Sequence, residues 1–116
     1  MAETKIPAGG QVLVNTSTQF PESDTIAYTG VSFTIPAKTI YAFRVYTGYQ
    51  IHPPVRTVLS SSPTSLQANT ILSDGNGRDS HICGYAPTAL TVYIWAAFSG
   101  AGNNSVAVVN GWYKYV

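Results

Sequence analysis

The run Asp74-Gly75-Asn76-Gly77-Arg78-Asp79 combines carboxylate, amide and guanidinium side chains at closely spaced positions. Oxygen ligands at alternating positions suit a hard cation such as Ca²⁺. A downstream glutamate at the spacing of a calcium loop is lacking, so we favour an ordinary hairpin turn and predict no metal. The Asn-Gly pair indicates such a turn, because both residues tolerate positive φ.

The same polar run is also a candidate ligand-binding tip, since it is rich in hydrogen-bond donors and acceptors. Tyr49 and His52 form a second candidate, in which the tyrosine ring is a stacking platform for a sugar. The predicted ligand-binding residues are therefore Tyr49, His52, Asp74, Asn76, Arg78 and Asp79.

His81 and Cys83 share one face of a predicted strand, and both residue types bind zinc. Two ligands do not complete a tetrahedral site, and only three copies of the chain on a three-fold axis could complete one. A buried thiol and a hydrogen-bonded histidine are the preferred interpretation. A catalytic thiol or serine would need His52 or His81 beside it, and no nucleophile elbow or oxyanion motif frames these residues. The sequence predicts no catalytic residue and no cofactor.

Leu90–Phe98 is the strand around which the remaining chain is organised. Its residues alternate between two faces, and both faces are largely apolar. We therefore expect a second sheet on one face and a further cover, such as another subunit, on the other. Tyr93 and Trp95 on the second face, together with Trp112, are the predicted subunit-interface residues, because large aromatics dominate such contacts.

Seven other segments have strand character and are separated by turn residues. The predicted strands are Gln11–Asn15, Tyr28–Ile35, Ile40–Thr47, Val55–Leu59, Leu66–Ser73, Ser80–Tyr85, Leu90–Phe98 and Ser105–Tyr115. Residues 16–25 are predicted to be a polar loop anchored by Phe20. The last strand contains Asn110-Gly111, which is either a tight turn or, as we prefer, a bulge at Gly111. The prediction is one all-β domain over residues 1–116, an antiparallel, jelly-roll-like β-sandwich with a mobile lead at residues 1–5.

Composition excludes several classes of function. Charged residues make up only 9% of the chain and the net charge is +1, which argues against electrostatic binding to nucleic acid. No apolar run is long enough for a membrane span. The single cysteine, Cys83, rules out an intrachain disulfide, so production in a bacterial cytoplasm is compatible with the sequence.

The last third of the chain resembles the C-terminal region of phage virion β-domains, including tail-fibre or receptor-binding heads and capsid-decorating fibres. The residues that carry the resemblance are Thr91–Ala96, a Gly/Asn turn, Asn104–Val108 and Gly111-Trp112-Tyr113. The corner at Phe33–Ala37 and the strand end at Val45–Tyr49 fit the same pattern. The resemblance implies a homotrimer, located in the virion, with loops that bind a host surface glycan or protein. A non-enzymatic virion protein that contacts other virion proteins is thus the leading hypothesis.

Two alternatives from other classes remain open. A soluble carbohydrate-binding module would bind sugars as a monomer, near Tyr49 or the tip at residues 74–79. A small hydrolase would depend on Cys83, His52 and His81.

Overall fold

The computed structural model describes residues 6–20, 25–46, 54–76, 79–98 and 106–116. Across these ranges the chain forms eight strands and no helix. The strands are β1 (Gln11–Gln19), β2 (Ala27–Ile35), β3 (Thr39–Tyr46), β4 (Pro54–Ser60), β5 (Ile71–Asn76), β6 (Ser80–Ala86), β7 (Leu90–Phe98) and β8 (Val106–Tyr115). None of the described ranges holds a helix long and apolar enough to cross a membrane.

The four strands of the first half of the chain pair antiparallel with the four strands of the second half, taken in reverse order. β1 pairs with β8, β2 with β7, β3 with β6, and β4 with β5. This is the pairing of one long hairpin, and rolling up that hairpin adds the pairs β3–β8 and β4–β7. The result is sheet A, in the order β1-β8-β3-β6, and sheet B, in the order β2-β7-β4-β5. This strand order is that of a jelly roll, and the predicted all-β sandwich is confirmed.

The core lies between the two sheets, and β7 contributes more to it than any other strand. Val92, Ile94, Ala96 and Phe98 on its inner face are at most 2% exposed. They pack against Phe43, Val45 and Val109 of sheet A and against Ile35 and Leu59 of sheet B. Each fully buried Val, Ile or Phe side chain stabilises the fold by about 1.5–3 kcal/mol. The predicted cover of one face of Leu90–Phe98 by a second sheet is confirmed.

Three local predictions are wrong, and β1 is the first. Residues 16–19 form the second half of this edge strand, and Phe20 directly after it is buried in the core. Polar residues are compatible with an edge strand because β8 supplies their backbone partners, at Val109 opposite Thr16 and Val106 opposite Gln19. The anchoring role predicted for Phe20 is confirmed.

The second correction concerns β5, which begins at Ile71 and not at Leu66. Residues 67–70 form a turn that Thr70 stabilises, since its Oγ1 accepts a hydrogen bond from the Gln67 N–H at 2.9 Å. β5 then continues through Asp74 to Asn76, and it belongs to sheet B whereas β6 belongs to sheet A. The Asp74–Asp79 run is therefore a connection between sheets and not the turn of a two-stranded hairpin.

The third correction concerns the bulge predicted at Gly111. β8 is one continuous strand, as preferred, but the extra residue is Leu13 in β1, between the pairs Val12–Trp112 and Val14–Gly111. Gly111 matters for packing instead. A Cβ atom there would lie 3.0 Å from Cδ2 of Phe43, so the absence of a side chain lets the Phe43 ring pack over the β8 backbone.

Candidate functional site

The outer face of sheet A carries the most chemically varied surface of the described chain. β3 and β6 pair without interruption from Thr39–Ala86 to Val45–Ser80. Because side chains alternate, Phe43 and Val45 point into the core, and Ala42, Arg44 and Tyr46 point to the outer face. The same alternation in β6 places His81 and Cys83 on that face, opposite Arg44 and Ala42 respectively.

Arg44 is buried although it lies on this outer face, with only 9% of its side chain exposed. Its Nη2 donates a hydrogen bond to Oδ2 of Asp79 at 2.9 Å. Its guanidinium carbon lies 4.3 Å from the centre of the Tyr46 ring, which is the geometry of a cation–π contact. A desolvated guanidinium requires such partners, because an unpaired buried charge is strongly unfavourable.

A groove of about 470 Å³ opens beside this ion pair. It is lined by residues 42–44 of β3, by Asp79 just before β6 and by residues 81–83 of β6, and we call it the Arg44 groove. Its volume falls within the range of about 300–1,000 Å³ that is usual for small-molecule sites. Half of the Asp79 side chain is exposed, so this carboxylate is accessible to a ligand although Arg44 holds it in place.

A second ion pair lies in sheet B, between Arg56 of β4 and Asp74 of β5. Arg56 donates two hydrogen bonds, from Nε to Oδ1 at 2.9 Å and from Nη2 to Oδ2 at 2.6 Å. The hydrogen bonds from Arg56 hold the pKa of Asp74 below its ordinary value. Both side chains are more than a third exposed, so this surface ion pair contributes little to the stability of the fold.

Exposed hydrophobic side chains concentrate at one end of sheet A. Five of the six large hydrophobic residues that are exposed in the described chain lie there: Ile6, Val12, Tyr85, Tyr115 and Val116. The pairings of Val12 with Trp112, Tyr85 with Ile40 and Tyr115 with Thr39 place these three residues at the end of the sheet where β1 and β3 begin and β6 and β8 end. Val12 and Tyr85 lie in the two edge strands, on the outer face, and Tyr115 lies on the opposite face. We call these five residues the end patch. The sixth, Leu72, lies in β5 of sheet B.

The outer face of sheet B carries an aromatic cluster of a different kind. The Tyr28 ring contacts Tyr93, with ring centres 5.7 Å apart, and Trp95, at 6.0 Å. Nε1 of Trp95 donates a hydrogen bond to the Ser62 carbonyl oxygen at 2.9 Å, so the segment after β4 packs over the indole. Trp95 is 9% exposed and offers little surface to a partner, whereas Tyr93 and Trp112 are partly exposed.

Of the predicted tip at residues 74–79, the described carboxylates pair with arginines of different sheets. Asp74 pairs with Arg56 in sheet B, and Asp79 pairs with Arg44 of sheet A. Asn76 ends β5 opposite Arg56. Tyr49, His52 and Arg78 lie outside the described residues. Arg44 and Tyr46 were missed as candidates, and the available signal was a single arginine within an otherwise apolar strand face.

His81 and Cys83 are both exposed on the outer face of sheet A, and the buried thiol that was predicted is wrong. Within the described ranges no three His, Cys, Asp or Glu side chains are grouped as a metal site would require. These residues are part of the wall of the Arg44 groove.

A scan against protein-family models finds no match to this chain, and searches of curated proteins and of solved structures find none either.

Proposed function

We propose that this chain is a non-enzymatic phage virion protein, which forms a homotrimer and either decorates the capsid or is a fibre head that contacts the host surface. It would be made in the bacterial host cytoplasm and assembled with other virion proteins. The observation that carries the proposal is the end patch, since five of the six exposed large hydrophobic residues of the described chain lie at one end of sheet A, where a second subunit could cover them.

The end patch has the composition of a subunit contact. Tyr85 and Tyr115 combine a large apolar ring with a polar hydroxyl, which is the type of side chain that interfaces favour. Trp112 lies next to Val12 in the adjoining strand, so the interface predicted around Trp112 would continue into the patch. Its Nε1 is buried and has no hydrogen-bond partner among the described residues.

The fold is compatible with this proposal without being specific to it. Jelly rolls form viral capsid domains and also lectin domains, and a fold alone does not fix a function. The resemblance of the last third of the sequence to phage virion β-domains favours the first of these classes.

Light scattering of the purified chain, repeated after dilution, tests the assembly. We expect a mass three times that of the 12.4 kDa chain. The double variant Val12→Ser/Tyr115→Ser should dissociate the trimer, because it removes two exposed apolar side chains of the patch. Leu72→Ser is the matched control, since Leu72 is exposed but lies in sheet B, and it should remain trimeric.

A wild-type monomer at micromolar concentration would refute the trimer and favour the carbohydrate-binding module. Mass spectrometry of particles purified from an induced culture that carries the gene tests the virion assignment separately. The chain should be present in particles after density-gradient purification, and its absence there would contradict that assignment.

A further inference from the structure

Arg44 is unusual because it is buried on the side of sheet A that faces away from the core. Asn110 of β8 lies opposite it on one side and His81 of β6 on the other, so Arg44 is in an inner strand of the sheet. The Tyr46 ring at 4.3 Å and the Asp79 carboxylate at 2.9 Å fix the orientation of the guanidinium. Ordering a long side chain in this way costs conformational entropy, which suggests that its orientation matters.

The consequence of this arrangement is a fixed acceptor at the edge of the Arg44 groove. Both residues line the groove, and the arginine side chain is 9% exposed whereas that of Asp79 is 50% exposed. A ligand in the groove can therefore reach the Asp79 side chain, which the buried Arg44 holds in place. His81 beside it is exposed, and its ring nitrogens are available for hydrogen bonds to a ligand. Ala42 and Cys83 contribute small, weakly polar surface between these groups.

The charges of the groove decide which class of ligand it fits. Among the described residues that line the groove, the Arg44 charge is balanced by Asp79, so these residues carry no excess positive charge to attract an anion. A carboxylate acceptor, an imidazole and an apolar wall fit a ligand with hydroxyl donors on its rim and C–H groups on its face. We propose that the Arg44 groove binds one pyranose ring of a neutral glycan, with Asp79 accepting hydrogen bonds from its hydroxyl groups.

This inference deepens the proposed contact with a host surface, and it rests on the proposed function only for the source of the sugar. The pair Arg56–Asp74 supplies an internal comparison. It has the same two residue types, with one hydrogen bond of the same length and one that is shorter, but both side chains are more than a third exposed and neither lines the groove. Losing that pair should leave sugar binding intact.

Saturation-transfer NMR on the wild-type chain tests the proposal with four probes: the methyl glycosides of glucose, mannose and galactose, and the anionic methyl glycoside of sialic acid. We expect at least one neutral glycoside to bind with a Kd on the order of 1 mM. Asp79→Asn should weaken that binding by about tenfold or more, because a hydrogen bond to a charged acceptor is replaced by a weaker one. Asp74→Asn is the matched control and should bind as the wild type does.

Arg44→Lys tests the arginine as a positioning residue. Lysine keeps the positive charge but loses the planar group that stacks on Tyr46 and directs the carboxylate. We expect weaker sugar binding by this variant at an unchanged far-UV circular dichroism spectrum, a result that a purely structural ion pair would not give.

Three results would overturn the inference: no binding of any neutral glycoside at millimolar concentrations, equal affinity of Asp79→Asn and Asp74→Asn, or binding of the sialoside alone. Light scattering on the same samples separates this inference from the proposed assembly. A monomer that binds the glycoside would refute the trimer and support glycan binding by the Arg44 groove. A trimer that binds no glycoside would support the trimer and refute glycan binding by the groove.

Discussion

Replacing Thr57 with valine should stabilise the protein, which is the opposite of what most core substitutions do. Thr57 in β4 is 1% exposed and lies opposite Ala96 of β7. Its Oγ1 is buried and has no hydrogen-bond partner within the described ranges. Burying an unpaired hydroxyl costs about 1–3 kcal/mol in proteins. Valine has nearly the same shape without that group, so we expect the free energy of unfolding to rise by about 1 kcal/mol.

Thr29 provides a control, because replacing it with valine should change the free energy of unfolding in the opposite direction. Its Oγ1 donates a hydrogen bond to the Ile94 carbonyl oxygen at 2.7 Å and accepts one from the Val31 N–H at 3.3 Å. The side chain is 7% exposed, so water cannot fully replace these partners. Thr29→Val should therefore lower the free energy of unfolding by about 1–3 kcal/mol.

Urea unfolding followed by tryptophan fluorescence measures both effects, at one protein concentration because assembly would add to apparent stability. For a chain of 116 residues, a change of 1 kcal/mol corresponds to roughly 3–5 °C in Tm. If Thr57→Val were neutral or destabilising while Thr29→Val behaved as expected, the Thr57 hydroxyl must have a partner. That result would refute the reasoning.

Three further substitutions test separate features. Gly111→Ala should lower the free energy of unfolding by about 1–3 kcal/mol in the same urea assay, because the added Cβ would lie 3.0 Å from Cδ2 of Phe43; wild-type stability would contradict that packing. Gly30→Ala should cost about 1 kcal/mol from backbone strain alone, since Gly30 has a φ of +85° and nothing lies within 4 Å of a Cβ there. Gly30→Asn should cost less, because Asn tolerates positive φ, and equal losses would count against strain. Hydrogen bonds from Arg56 lower the pKa of Asp74 in the folded protein. The ion pair therefore stabilises the fold above the unfolded pKa of about 3.9, and this stabilisation is lost as the pH falls through the lower pKa of the folded state. Asp74→Asn should thus be slightly less stable than wild type at neutral pH, and the difference should shrink as the pH falls below the unfolded pKa. A difference that stays constant on acidification would argue against the pair.

The sequence predicts the sandwich well where burial produces a regular pattern. β7 is found at Leu90–Phe98 as expected, because an inner strand with two covered faces leaves a continuous apolar run. The predicted β1 was too short because residues 16–19 are polar. An edge strand is held in place by its backbone pairing, here with β8, as much as by burial of its side chains. The pair Asn76-Gly77 led to the wrong prediction of a hairpin, because the preference of two residues for a turn does not determine which sheet the next strand joins.

The candidate site also depends on a strand pairing that the sequence does not predict. Alternation along β3 places Ala42, Arg44 and Tyr46 on one face, and this much follows from the sequence. The partner of Arg44 is Asp79, which is 35 positions away along the chain. Their contact exists only because β3 pairs with β6, and no local pattern in the sequence predicts which strands become neighbours.

The pairing of β1 with β8 has a practical consequence for protein engineering. Gln11 lies opposite Tyr113, and a Cβ on Gly9 would come within 3.4 Å of the Lys114 side chain. The two ends of the described chain, Ile6 and Val116, therefore lie at the same end of the sandwich and both belong to the end patch. A purification tag or a displayed cargo joined at either end would emerge beside the proposed subunit contact. A circular permutant that links these ends and opens the chain elsewhere would carry its cargo away from that surface.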